Sequence, residues 1–341
     1  MHCLQNPYRG AVWEEVIIHT PPEVDLVCLS ATVSNAEEVA DWIQTVRGTT
    51  AAIIEERRPV ELTHLYMVGD RTTGDISVLP MFVGGKPNPE AAEMGRGGRA
   101  RPDVRGRRPR SAWFTPNRVD VIELLRQREL LPAITFIFSR AACDDAVGQC
   151  VAGGLRLTTP EERRQIRAIV EAKVEPLSDA DLGVLDYGAF LTAMEYGIAA
   201  HHAGMVPPFK EAVEACFAQA LVKAVFATET LSLGINMPAR TVVIERLQKF
   251  DGESKKDLTP GEFTQLTGRA GRRGIDAIGY AATLWSPFTR FEQMAELASK
   301  RIYRLHSSFR PTYNMAANLV RRYRPDTAHH LLNLSFAQYQ A

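Results

Sequence analysis

No run of apolar residues in this 341-residue sequence approaches the roughly 20 needed to cross a bilayer as a helix. The N-terminus also lacks a basic segment leading into an apolar stretch and a small-residue cleavage site, so neither a membrane partner nor a secretory leader is expected. Cysteine is scarce and unpatterned. Cys3, Cys28, Cys143, Cys150 and Cys216 show no C-x-x-C spacing and no histidines at zinc-ligand intervals, which leaves no basis for a zinc ribbon or any other metal site. Buried free thiols in a reducing compartment are expected, and with them a cytoplasmic protein. Net charge is missing too: 40 Lys plus Arg stand against 40 Asp plus Glu, so the total predicts neither nucleic acid nor membrane as a partner.

The balance conceals local asymmetry. Seven arginines fall between Arg96 and Arg110 with Asp103 alone against them, and a second basic cluster runs from Lys300 to Arg324. An apolar content of 45% with 23% charge is ordinary for globular protein, and the length suits two domains.

Short apolar runs followed by turn residues and helical patterns recur, as strand-then-helix units around a parallel sheet do. The expected strands are "VDLVCLSAT" ending at Ser30-Ala31-Thr32, "AITFIF" (133–138), "VKAVFAT" (222–228), "TVVIER" (241–246) and "GYAATLW" (279–285). Ser34 is expected to cap a helix in a capping box with Glu37, ahead of Val39, Trp42 and Ile43. Thr159-Pro160 with Glu162 and Thr259-Pro260 with Glu262 read as two further capped starts. The fold class is α/β.

Residues 84–112 hold few apolar side chains and many Gly, Pro and Arg, which reads as a flexible linker; alternatively its arginines hold nucleic-acid phosphates. It separates an N-terminal piece, 1–83, from a fuller domain over 113–290. A helical, basic segment over 291–341 reads as the start of a third module.

The most informative stretch is "TPGEFTQLTGRAGRRG" (259–274). Counted on a helix, Gln265, Arg269 and Arg272 stand at i, i+4 and i+7 and share a face, with Gly268 and Gly271 baring backbone beside them. An amide and two guanidiniums converging there suit a polyphosphate. A glycine inside such a helix costs ~1 kcal/mol unless packing or binding requires it. Upstream, "FATETLSLGINMPART" runs a strand into a turn with Thr228 at the junction, where open α/β sheets bind ligands. His201 and His202 read as a structural pair in an "AAHHAG" turn. Tyr303, Phe309 and Tyr313 fit base stacking or a helical core stripe equally.

In order, "LSAT", "FIFSR", "AAHHAGM", "ATETLSLGINMPA" and "QLTGRAGRRG" resemble motifs III to VI of superfamily-two helicases. The wording is most similar to the superkiller-type DExH-box RNA helicases, including large actinobacterial members. "YRGAVWEEVII", "SFRPTYNMAANLV" and "LLNLSFAQYQ" extend the likeness over nearly the whole chain, the last two towards a winged-helix module. The resemblance implies RecA-like lobes that close on ATP and Mg2+ and move 3′ to 5′ along RNA, in company with nuclease machinery. It implies that Gln265, Arg269 and Arg272 face the nucleotide from the second lobe, with Gly234 and Asn236 nearby. Ser139, Arg140 and Thr228 would hold the strand's backbone, His201 and His202 would lie near it, and Ser30 and Thr32 would couple nucleotide state to movement. The segment 1–83 would then be the end of the first lobe.

Such an ATPase needs a G-x-x-x-x-G-K-[ST] loop and an acidic pair for magnesium. No Gly-Lys-Thr or Gly-Lys-Ser occurs in the 341 residues. The chain by itself is therefore expected to be inactive in ATP hydrolysis. In the family this loop and a "DEVH" box precede "YRGAVWEE". Aligned on that box, His2 meets its histidine and Met1 its valine, which suggests a start assigned to an internal GTG codon or a broken gene. Two alternatives stay open: a DNA helicase of the same superfamily, since phosphate contacts do not read the sugar, and a non-catalytic nucleic-acid-binding remnant.

Overall fold

Ala133–Phe136, Ile198–His201, Ala224–Ala227 and Thr241–Ile244 are short runs buried at every position. Strands covered on both faces need no polar alternation, and such runs belong to parallel sheets whose crossover helices shield both sides. The computed structural model describes residues 2–6, 9–30, 33–55, 57–96, 111–232, 236–250, 254–300 and 304–341. It divides into two units, Met1–Arg57 with Lys300–Ala341, and Arg58–Ser299.

The Arg58–Ser299 unit is built on one eight-stranded sheet. Its strands are β1 Glu61–Asp70, β2 Ile76–Pro80, β3 Trp113–Phe114, β4 Ala133–Phe136, β5 Ile198–His201, β6 Ala224–Ala227, β7 Thr241–Ile244 and β8 Ile278–Leu284. Their order is β2-β1-β8-β7-β4-β6-β5, with β3 also paired to β1. From β1 through β5 every neighbouring pair is parallel, while β2 and β3 run against β1.

Alternate strand residues feed two cores. Ile134, Phe136, Val225, Ala227, Val242 and Ile244 pack with helices α3 (Pro160–Val174), α4 (Tyr187–Glu195), α5 (Pro207–Ala218), α6 (Pro260–Thr267) and α7 (Phe291–Ser299). Ala133, Ala224, Phe226 and Val243 pack on the other face with α1 (Arg118–Gln127) and α2 (Arg140–Ala152). The result is a three-layer α/β/α unit. Two of the three expected capping boxes form, Thr159 with Glu162 and Thr259 with Glu262, while the one expected of Ser34 with Glu37 does not.

The expected boundaries need correction. Residues 58–83 do not stay with the N-terminal piece, because β1 completes the sheet: Glu61 through Met67 pair in parallel with Ile278 through Leu284, and Tyr66, Met67 and Val68 are fully buried. The expected linker is also structured at its start. Asn88 caps a helix over Pro89–Gly95 and donates to the Pro80 carbonyl at 2.8 Å, while Ala91 and Ala92 are buried. Residues 97–110, with most of the arginines, lie outside the described residues. The boundary at 291 shifts as well, since Phe291 is buried with its ring 5.1 Å from that of Tyr66.

In the other unit, helices over Gly10–His19 and Ala36–Arg47 pack with the C-terminal segment around Leu4, Ile17, Val39, Trp42, Ile43, Leu305 and Phe336. The strand expected in "VDLVCLSAT" does not form over residues 24–30, where Val27 and Leu29 are exposed, because a strand needs a neighbour to pair its backbone. The next helix begins after Asn35 rather than Ser34; Asn35 makes no cap bond and instead binds the Leu305 backbone through both its amide atoms. Phe309 is a core residue and Tyr313 is exposed, while Tyr303 lies outside the described residues. Cys143, Cys150 and Cys216 are buried, and burial pushes each thiol up to about 12. Cys28 is exposed, contrary to expectation, since it sits in the unpaired segment. No described helix is long and apolar enough to cross a membrane.

Candidate nucleotide and nucleic-acid interface

The carboxyl edge of the sheet gathers one set of expected residues. β4 and β6 are adjacent, with Phe136 paired to Ala227. Beyond Phe136, the Ser139 side chain caps α2 by accepting from the Ala142 N–H at 3.3 Å, and exposed Arg140 opens that helix. Beyond Ala227, Thr228 donates its N–H to His201 at 3.3 Å, and its hydroxyl lies 2.9 Å from that of Thr230. Ser139, Arg140 and Thr228 therefore share one edge, where loops of an open α/β sheet meet ligands.

His201 ends β5 instead of lying in a turn, because its carbonyl is taken by Thr228 and its register partner is Ala227. Its Nε2 is 2.8 Å from Glu214, and burial holds its pKa below the ordinary histidine value despite that bond. His202 accepts from the Gly204 N–H at Nδ1, so Nε2 carries the proton that meets Asp144 at 2.9 Å. Both rings tie strand ends to helix carboxylates.

The second set lies elsewhere. Helix α6 stops at Thr267, so Gln265 is helical but Arg269 and Arg272 are not, and the shared helical face expected of the three does not form. A non-local pairing ends the helix: Ala239 donates to Arg269 at 2.9 Å and accepts from Gly271 at 2.7 Å, in a parallel bridge between Ala239 and Ala270. That bridge brings the segment containing exposed Asn236 beside the arginine loop; Gly234 lies outside the described residues. Gly271 has a packing reason, since its φ is +89° and a Cβ there would stand 2.5 Å from Val60 Cγ1. The glycine itself therefore does not require a phosphate.

The two arginines differ. Arg269 is half-buried, and desolvation holds its pKa below the ordinary guanidinium value. Arg272 is engaged by Asp276, which accepts from its Nε and Nη2 at 2.8 Å each and from its backbone N–H at 2.9 Å. A phosphate contact from Arg272 requires sharing or exchanging Asp276. Sequence reading missed Asp276, although its i+4 spacing was a usable signal. It also missed Arg58, which donates to the Ala270 carbonyl at 2.7 Å and the Val60 carbonyl at 3.0 Å and so clamps the loop. Nothing in "ERRPVE" announces that reach.

Lys249 links this region by meeting Glu229 at 2.7 Å and Glu262, at the start of α6, at 2.6 Å. Burial works to raise the Glu262 carboxyl, but its bonds from Lys249 and the Thr259 cap outweigh this and hold it below its ordinary value. A depressed carboxylate stabilises the fold above its unfolded pKa, and that contribution is lost as pH falls through the folded one. Glu262→Gln is expected to cost about 1 kcal/mol near pH 7 and to flatten the decline in stability below about pH 5. Urea midpoints across that range check it, and an unchanged acid limb would count against the network.

Ser30 is exposed in the Met1–Arg57 unit, and Thr32 lies outside the described residues. Among the described residues no group of three His, Cys, Asp or Glu side chains is placed to hold a metal ion.

A parallel sheet with helices on both faces is the architecture of a RecA-like lobe, and a model of the helicase conserved C-terminal domain matches residues 160–274. The chain is 50% identical over 350 residues to the probable helicase HelY of Mycobacterium tuberculosis, a match that covers 100% of this chain and 39% of that protein. It is 35% identical to superkiller complex protein 2 of Homo sapiens, over 94% of this chain and 27% of that one. Against the human exosome RNA helicase MTR4 the identity is 33%, over 100% and 33% respectively. The chain belongs to the Ski2-like and MTR4-like helicase family, and it spans about two fifths of HelY.

Proposed function

We propose that the Arg58–Ser299 unit serves as the second lobe of an ATP-dependent RNA helicase that unwinds 3′ to 5′, in the cytoplasm and alongside nuclease machinery. The observation that carries this reading is the placement of Ser139, Arg140 and Thr228 on one sheet edge, in a chain half identical to a helicase throughout its length. Their donors would hold phosphates of a single strand: the Arg140 guanidinium by charge, the hydroxyls and loop amides by hydrogen bonds. One of these relatives, MTR4, is named an exosome RNA helicase, which favours RNA over DNA.

Gln265, Arg269 and Asn236 fit a nucleotide-facing role. Arg269 already sits partly desolvated, where a guanidinium gains most from meeting an anion. Arg272 joins them once Asp276 is shared. ATP with Mg2+ would supply the energy of phosphoryl transfer, and these side chains would contact the phosphates from their own side of the nucleotide. Ser30 and Thr32 would relay the nucleotide state.

The 341 residues contain no phosphate loop of the Gly-Lys-Thr type, and this favours a second reading, a chain that binds strands without hydrolysing ATP. Purified chain is expected to bind single-stranded RNA in a salt-dependent manner, with Arg140→Ala weakening binding several-fold and with no ATP hydrolysis above the blank. RNA-stimulated turnover by the pure chain would defeat the inactive reading. Binding that ignores Arg140 would defeat the placement of the strand. RNA- against DNA-stimulated hydrolysis by a complete relative separates the two substrates.

A further inference from the structure

Three adjacent strands, β4, β7 and β8, end around a cleft of about 310 Å³. Phe138 and Ser139 reach it from β4, Arg246 from β7, and Ser286, Phe288 and Thr289 from β8. We propose that this cleft takes the base of a single-stranded nucleic acid whose backbone lies against Ser139. The proposal rests on the strand-binding reading above and adds a base subsite to it.

The cleft is prepared for a flat, partly polar ring. Phe288 is 82% exposed at its mouth, an unusual position for a phenyl group with nothing to cover it. The turn holding it is fixed, since Phe288 N–H donates to the Ser286 hydroxyl at 3.2 Å and Ser286 bridges Thr289. The charges lining the cleft divide clearly. Arg118 and Glu245 neutralise each other through contacts of 2.9 and 3.1 Å with little exposure, and Lys249 is held by Glu229 and Glu262. Exposed Arg246 takes part in no ion pair among the described residues. A free guanidinium and an exposed phenyl ring at one cleft are the parts that stack on a base from any nucleotide. A bare phosphate would leave the apolar wall unused. A duplex keeps its bases stacked inward, so a base can enter only from a single strand. Ser139 belongs both to the cleft and to the strand-holding edge, so a strand bound there has its bases within reach.

Fluorescence anisotropy with a labelled oligouridylate of about 12 nucleotides, and with the same oligomer carrying abasic positions, tests the proposal on the full chain. Phe288→Ala is expected to bind the oligouridylate about tenfold more weakly, Arg246→Ala to weaken it also, and Phe288→Trp to retain affinity. Wild type should lose a similar factor on the abasic oligomer, and Phe288→Ala should lose little more. Melting curves check that each variant is folded. If Phe288→Ala binds like wild type and keeps the full abasic penalty, the cleft is not a base site, while sensitivity to Arg140→Ala would leave the strand-binding reading standing. If wild type binds neither oligomer, both readings fall.

Discussion

Trp42→Ala is expected to unfold the Met1–Arg57 and Lys300–Ala341 unit while leaving Arg58–Ser299 folded. Trp42 is 1% exposed, its ring lies 5.0 Å from that of Phe336, and its indole N–H donates to the Leu334 carbonyl at 2.8 Å. One side chain thus joins the two ends of the chain by packing and by a hydrogen bond. Removing it leaves a cavity and an unpaired carbonyl, together costing about 3–5 kcal/mol, which is comparable to the whole stability of a small unit. Glu14 ties the same ends but cannot compensate alone. Its fully buried carboxylate accepts from the Ser307 hydroxyl and from the Phe336 N–H at 2.7 Å, and burial raises its pKa. Hydrogen exchange resolved by peptide should show Trp42→Ala exchanging rapidly over both terminal segments and slowly over β4, β6 and β7. Trp42→Phe, which keeps most of the packing, should lose only about 1 kcal/mol. Uniform protection in the alanine variant would show that the two ends do not depend on this contact.

The parts of the fold legible in the sequence are those whose cause is local. β4, β6, β7 and β8 are apolar runs bounded by turns, and the boxes at Thr159 and Thr259 need only a residue three positions on. The misread parts depend on distant partners. "VDLVCL" has the composition of a strand but no neighbour to pair with, whereas β1 mixes Thr63 and His64 with apolar residues and becomes a strand because β8 and β2 flank it. The spacing of Arg269 and Arg272 is helical, yet Ala239 claims the backbone at Ala270 from 31 positions away in sequence (270 against 239) and ends the helix early. The histidine pair reads as a turn until β6 pairs with His201. The meeting of Ser139, Arg140 and Thr228 at one sheet edge was legible because each lies within four residues of the end of a recognisable strand. The shared helical face expected of Gln265, Arg269 and Arg272 was not legible as geometry, because the helix ends at Thr267.

That geometry can be probed through its glycine. Gly271→Ala is expected to lower the melting temperature of the Arg58–Ser299 unit by about 10 °C, corresponding to about 3 kcal/mol. Two costs combine. A φ of +89° is unfavourable for an L residue by about 1–2 kcal/mol, and the new Cβ would stand 2.5 Å from Val60 Cγ1 and 3.3 Å from the Gly279 backbone, adding about 1–3 kcal/mol of overpacking. Gly274 separates these terms, because its φ is +76° but nothing lies within 4 Å of a Cβ placed there. Gly274→Ala should therefore cost only about 1 kcal/mol. Adding Val60→Ala to Gly271→Ala should recover part of the loss, since Val60 supplies the nearest atoms, and a thermodynamic cycle over the pair measures the recovery. Equal losses for Gly271→Ala and Gly274→Ala, with no coupling to Val60, would mean that backbone conformation alone fixes the glycine and that packing does not set the arginine loop.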